Sequence, residues 1–253
     1  MLLGRILLVN WFDSSPIPYT LSSPENPMSE EQVLVIPIET YRRHLNGGFH
    51  GFRSCGPTTL KKLVAEALFI NREAAEIDPN YKQLIPYVLI MNGAGVFNYL
   101  RTPAGEEARL HNKRSVGVGG HINPVDQEVN TQMNLDLVMN AVVRELMEEV
   151  RLPGGVTLAS KDSEMNLPQF VGLINTTDSE VGAVHLGLTF VMKVASMEGI
   201  VPEEEEGMHD AGFHAVGHLS KDKREELEAW SAIAVDAILN HEVTTGANNR
   251  QFA

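Results

Sequence analysis

The chain has a single cysteine, Cys55, so no disulfide can close within it, and a reducing compartment is the expected setting. That thiol lies in Arg53-Ser54-Cys55-Gly56-Pro57, a loop or buried context, and no base stands at a recognisable spacing to make it a nucleophile. Long apolar runs are also missing. Nothing approaches the ~20 residues that a membrane span needs. The run from Ile6 to Val9 is too short for a secretory core, and no small-residue cleavage site follows it. A cytoplasmic protein is therefore expected, with Met28 serving as a start as readily as Met1. Positive charge is scarce: Lys and Arg number 20 against 33 Asp and Glu, a net charge of −13. This argues against a nonspecific nucleic-acid or anionic-membrane surface, so no DNA surface is expected. A polyanionic substrate would have to be drawn in by a metal and by local Arg or Lys. Zinc-type spacing is absent, since His209-x4-His214 is a pair without Cys partners. There are no internal repeats, and the only biased segment is Glu203-Glu204-Glu205-Glu206.

What the sequence does hold is concentrated between Leu135 and Val150. Leu135, Val138, Val142, Leu146 and Val150 recur every three or four residues and predict one apolar stripe on a helix. Glu145, Glu148 and Glu149 fall at i, i+3 and i+4 and share one flank beside that stripe. Three like charges on one flank repel, and a divalent cation reverses the sign. Mg²⁺ and Mn²⁺ prefer carboxylate oxygens, and Mg²⁺ works between carboxylates and substrate phosphates. Arg144 can reach Glu148 along the helix or brace a neighbouring carboxylate with its planar fork. A bare Glu-x-x-Glu-Glu is more often a solvated acidic face. Here it is embedded in Arg144-Glu145-Leu146-Met147-Glu148-Glu149, with Gly119-Gly120-His121 upstream.

In these residues the chain resembles the Nudix (MutT-like) hydrolases, whose box reads G-x5-E-x7-R-E-U-x-E-E-x-G-U, with U aliphatic. Arg144, Glu145, Leu146, Glu148, Glu149 and Leu152 match its second half. Counting back eight residues from Arg144 gives Asp136 where the box has its first Glu, and Gly119-Gly120 match its glycine. That alignment needs about ten extra residues, placed over Pro124 to Asn134 and expected as a surface loop at the mouth of the site. Arg151 stands where the box has its second Gly, with Pro153-Gly154-Gly155 as the alternative helix stop. The resemblance implies metal-dependent hydrolysis of a nucleoside diphosphate linked to another moiety, or of a related diphosphate, with Mg²⁺ or Mn²⁺. It implies Glu145, Glu148 and Glu149 as metal ligands with the Gly119 carbonyl beside them. Glu145 would be ligand or base, oriented by Arg144. Asp136, Gly120, His121 and Glu206, the last within the late acidic run, are further candidates. Three alternatives stay open: an isoprenoid diphosphate isomerase on the same fold, a nucleotide-binding module without turnover, and a non-enzymatic α/β protein. The sequence shows no substrate-recognition motif. It implies a small-molecule diphosphate as partner and leaves a homodimer open.

Around this stretch the order is strands, acidic helix, strands and a terminal helix, which predicts an α+β protein. The resemblance makes it a Nudix-like α/β/α sandwich with a mixed sheet, plus an N-terminal strand-helix extension. We expect a poorly ordered segment over 1–30, the extension over 31–82 and the hydrolase domain over 83–253. Expected elements are strands at Val33–Pro37, Ile85–Met91, Val96–Leu100, Lys113–Val118, Gln169–Ile174, Val184–Val194 and Ala211–Val216. A helix from Thr58 or Thr59 through Leu68 and a long helix from Lys221 to Leu239, capped by Ser220, complete the reading.

Overall fold

The computed structural model describes residues 31–102, 112–127, 133–151, 167–177, 180–194, 200–202 and 208–243, together with 7–9 and 16–18. The short strands β1 (Leu7–Val9) and β2 (Pro16–Pro18) pair with each other. The first half of the chain then supplies β3 (Gln32–Pro37), α1 (Ile38–His44), β4 (Gly51–Ser54), α2 (Pro57–Val64), β5 (Leu68–Asn71), α3 (Arg72–Ala75), β6 (Tyr81–Asn92), β7 (Gly95–Arg101), β8 (Arg114–Ser115) and β9 (Gly117–Val118). The second half supplies α4 (Leu135–Glu149), β10 (Val150–Arg151), β11 (Gln169–Asn175), α5 (Glu180–Val184), β12 (His185–Lys193), β13 (Val201–Pro202), β14 (Met208–His214), α6 (Val216–Lys221) and α7 (Ala229–Leu239).

Among the described residues, ten strands form one mixed sheet, and β6 is its axis. One edge of β6 runs parallel to β12 from Gln83↔His185 to Met91↔Lys193. Its start also pairs with β3, and its later part with β9 and β7, all antiparallel. The order β14-β7-β6-β12-β11-β4 carries the sheet outward on both sides. Strands from 32–71 thus share a sheet with those from 81–214.

Alternation along β6 divides the interior into two cores. Leu84, Val88 and Ile90 face Leu137, Val138, Ala141, Val142 and Leu146 of α4. Tyr87 and Leu89 face Ala234 and Val235 of α7. The expected architecture, a mixed sheet between helices, is the one observed.

Several boundaries differ from expectation, each for a visible reason. The long terminal helix is broken into α6, a 3-10 turn at Arg224–Glu226, and α7. The cap is Glu228 and not Ser220: its carboxylate accepts the N–H groups of Trp230 and Ser231, both at 2.9 Å, while Leu227 bridges to Arg114. The α2 helix stops at Val64, because Leu68–Asn71 is needed as the antiparallel partner of β3. The strand expected over Lys113–Val118 splits at Val116, whose N–H donates to Ser231 Oγ at 2.8 Å. Its two pieces pair with β7 and β6. The last strand lies at Met208–His214, and Val216 opens α6. Pro103–His111 and Leu152–Asn166 lie outside the described residues, as does most of 1–30.

Candidate active site

The acidic helix forms where its stripe requires. Asn134 caps it, its side chain accepting the Leu137 N–H at 3.1 Å. It ends without a glycine: Val150 turns extended, at φ −136° and ψ 136°, and Arg151 pairs with Val201. A strand takes over where the box has its second Gly.

Arg144 is the hub. Its Nε and Nη2 hold both oxygens of Asp126, at 2.7 and 2.9 Å. Its Nη1 donates to Glu145 Oε1 at 2.8 Å and to Glu148 Oε2 at 2.9 Å. Nη2 also reaches the His121 carbonyl at 2.9 Å. Asp126 belongs to a 3-10 turn, Pro124–Asp126, and accepts the Asn123 N–H at 2.8 Å; its side chain is 3% exposed. The Asn140 side chain donates to the Asp126 backbone carbonyl at 3.0 Å, so the helix and the turn are locked together.

This corrects the assignment of Asp136. That residue lies in the first turn of α4, where its carboxylate accepts from the Asn134 side chain at 3.1 Å, and burial raises its pKa. The carboxylate on Arg144 is Asp126. Gly120 followed after five residues by Asp126 fits the first half of the box with Asp in place of Glu. The extra residues therefore fall after Asp126, not before it. Of the expected mouth loop over Pro124 to Asn134, the first three residues form a 3-10 turn with Pro124 and Val125 exposed and Asp126 buried under Arg144, and 128–132 lie outside the described residues. The signal for Asp126 is the Gly120-x5-Asp126 spacing, which competes with Asp136 standing at the box count from Arg144.

The glycine pair earns its place by contact. A Cβ on Gly120 would stand 2.5 Å from Glu145 Oε2, so any other residue there would push the carboxylate off its present place. Gly119 has φ +150°, and a Cβ there would stand 2.1 Å from the Pro86 carbonyl of β6. Glu145 is consequently sunk beside the loop, its side chain 11% exposed. Burial pushes its carboxyl up to about 7, although the Arg144 guanidinium pulls the other way; Glu148 and Asp126 add to the rise. Glu148 is largely exposed, and Glu149 is half-buried within electrostatic reach of Arg101 and Tyr99.

Three carboxylates gathered on one guanidinium, one of them pressed against Gly120, leave a surplus of negative charge that would suit a hard, oxygen-seeking divalent ion. His121 contributes its carbonyl to this network while its ring turns away toward Gln83. Glu203–Glu206, including the candidate Glu206, lies outside the described residues. Cys55 has no part in the Arg144 network; burial pushes its thiol up to about 11.

No family model matches the chain. It is 30% identical over 213 residues to Protein YmaB of Bacillus subtilis (strain 168), an alignment covering 83% of this chain and 98% of that protein. It superposes on the crystal structure of Tm1382, a proposed Nudix hydrolase, with a TM-score of 0.65 and 28% identity. That overlap takes in 83% of this chain and 100% of Tm1382.

Proposed function

The chain belongs to the Nudix (MutT-like) hydrolases, enzymes that act on phosphoanhydride linkages, and we propose that it hydrolyses a nucleoside diphosphate linked to another moiety with Mg²⁺ or Mn²⁺ at the Arg144 hub. The observation that carries this reading is Glu145. It is a buried carboxyl raised to about 7, pressed against Gly120 and held by Arg144.

Glu145, Glu148, Glu149 and the Gly119 carbonyl would hold the metal, which supplies charge neutralisation on the phosphoryl oxygens and a more acidic water. Arg144 keeps Glu145 and Glu148 converged on one side of the helix. Asp126 in turn fixes the guanidinium plane through two parallel hydrogen bonds. With a pKa near working pH, Glu145 can accept the proton of an attacking water. The water oxygen forms a new bond to phosphorus, the bridging P–O bond breaks, and the two products leave as phosphate species. Gly120 keeps the carboxylate close to the loop without a side chain in between.

The test is a panel of nucleoside diphosphate derivatives and capped nucleotides incubated with the chain and Mg²⁺ or Mn²⁺, with products separated by chromatography. Metal-dependent release of a nucleoside monophosphate, lost in Glu145→Gln, is the expected result. Turnover that survives both chelation and Glu145→Gln would overturn the site.

A further inference from the structure

We infer that Glu76, His121 and His185 form a second metal site, for a zinc-type divalent transition ion, on the face of the sheet opposite α4. The three residues come from distant parts of the chain. Glu76 follows α3, His121 follows the glycine pair, and His185 opens β12. Their ligating atoms lie within 4.8 Å of one another, and His185 Nε2 stands 3.5 Å from Glu76 Oε1. The His121 and His185 rings meet edge to face, with centroids 6.1 Å apart. With bonds of ~2.1 Å and tetrahedral angles, ligand atoms sit ~3.4 Å apart. The closest pair already has that spacing, and the remaining ligand atoms lie within 4.8 Å.

The placement separates this cluster from the carboxylate site. Gln83 and His185 are cross-strand partners at the start of the β6–β12 pair. Gln83 alternates with Leu84, which faces the α4 core, so its side chain points to the other face. There the neighbouring elements are α3 and β3, with Ala75, Val33 and Val35 packed together.

A second observation comes from Gln83, which is fully buried. Its Oε1 lies 3.0 Å from His121 Nε2, while its Nε2 makes no well-formed hydrogen bond and stands near Glu76, whose carboxyl it helps to hold below the usual range. The first contact fixes the imidazole: when Nε2 donates to Gln83, the lone pair resides on Nδ1. A carbonyl-type acceptor behind a histidine is the usual outer partner of a metal-bound ring. The second is a buried donor held only loosely by the Glu76 carboxylate, which leaves room for a better-placed acceptor. Three protein ligands leave a coordination position for a water, and that water would accept from Gln83.

The donor set decides the class of ion. Two imidazoles and one carboxylate favour zinc and its first-row neighbours over magnesium, which prefers all-oxygen surroundings. Such an ion would tie residue 76 to β12 and to the His121 backbone. The His121 carbonyl is held by Arg144, so the ion would brace the glycine loop from behind. The inference does not depend on the reaction carried out at the carboxylate site.

The experiment uses the full chain, stripped by chelator and titrated with Co²⁺ alone, a coloured substitute for Zn²⁺. We expect one equivalent with visible ligand-field bands, displaced by Zn²⁺ and retained in Glu148→Gln. Glu76→Gln, nearly isosteric, and His185→Ala should each weaken Co²⁺ binding at least tenfold, with far-UV circular dichroism unchanged. Zn²⁺ should raise the Tm of Glu148→Gln and leave that of Glu76→Gln in place. Absence of any such band in the unsubstituted chain would overturn the site. So would a band unaffected by Glu76→Gln, or one lost only in Glu148→Gln.

Discussion

Two arginines organise two charged clusters in this molecule, and they are built to different ends. Arg114 is 1% exposed and reaches Asp210, Glu226 and the Asn98 side chain. Both of its carboxylates are largely open to water, and both are held below the usual range, chiefly by their hydrogen bonds to Arg114. Lys223 also pairs with Glu226 at 3.3 Å, so two cations meet two carboxylates and that cluster is balanced. Arg144 also gathers carboxylates, Asp126, Glu145 and Glu148, yet Glu145 is raised to about 7 while touching it. One guanidinium does not offset the burial of so much negative charge. The difference is what separates a structural tie from a site prepared for a cation.

The contrast breaks most visibly under substitution of a ligand. Glu148→Gln and Glu149→Gln should each lower turnover by ~10²-fold or more with the fold intact, the loss expected when a metal ligand is removed. Glu226→Gln, on the Arg114 side, should leave turnover unchanged. Steady-state rates under saturating Mg²⁺ decide the matter, and near-normal turnover in either helix variant would sink the ligand assignment.

Next in size is the buried partner of the hub. Asp126→Asn should cost about 3 kcal/mol of stability, because it breaks a bidentate ion pair whose carboxylate is buried and whose guanidinium is half-buried. Asp136→Asn should cost less than ~1 kcal/mol, since that carboxyl is only half-buried and its hydrogen bond is to the neutral Asn134 side chain. Urea midpoints for the two variants compare them directly. Equal losses would mean that Arg144 does not depend on Asp126.

These two aspartates also show what could be read before the structure was seen. The helix, its stripe and its acidic flank follow from periodicity, which is local and survives in the sequence. The sheet with helices on both faces follows from the order of elements. The identity of the carboxylate on Arg144 does not, because two aspartates satisfy two different spacings and only the 3-10 turn at Pro124–Asp126 decides between them. The break in the terminal helix was hidden for the same reason: Glu228 reads as helical until Arg114 claims its N–H, at 3.1 Å. Glu76, His121 and His185 share no spacing at all and meet only in the folded sheet, where the end of α3, the loop after β9 and the start of β12 come together.

The raised Glu145 carboxyl makes a pH prediction of fixed sign. Its folded pKa, about 7, lies above the ordinary value of 4.5, so the folded state holds the proton more tightly than the unfolded chain. Its contribution to stability is therefore fully present below pH ~4.5 and is lost as pH rises through ~7, by on the order of 2–3 kcal/mol without metal. Glu145→Gln mimics the protonated group and should not show that loss. Melting curves of the metal-free proteins between pH 5 and 7.5 should diverge, and Mg²⁺ should narrow the gap. Parallel curves would show that Glu145 carries no excess charge.

The smallest effect tests the balanced cluster. The Asp210 side chain is 61% exposed although its partner Arg114 is buried. Water can therefore replace much of what Asp210 supplies, and Arg114 keeps Glu226, at 3.0 Å, and Asn98, at 2.8 Å. Asp210→Asn should cost ~1 kcal/mol or less, in the range of exposed ion pairs, with no change in turnover. Raising the salt concentration should shrink even that difference, because exposed charges are screened within ~10 Å at 0.1 M. The expected ratio to Asp126→Asn is about threefold in free energy, read from the same urea experiment. Were Asp210→Asn as damaging as Asp126→Asn, exposure would not be what distinguishes the two arginines, and the surplus charge at Arg144 would lose its standing as the mark of the site.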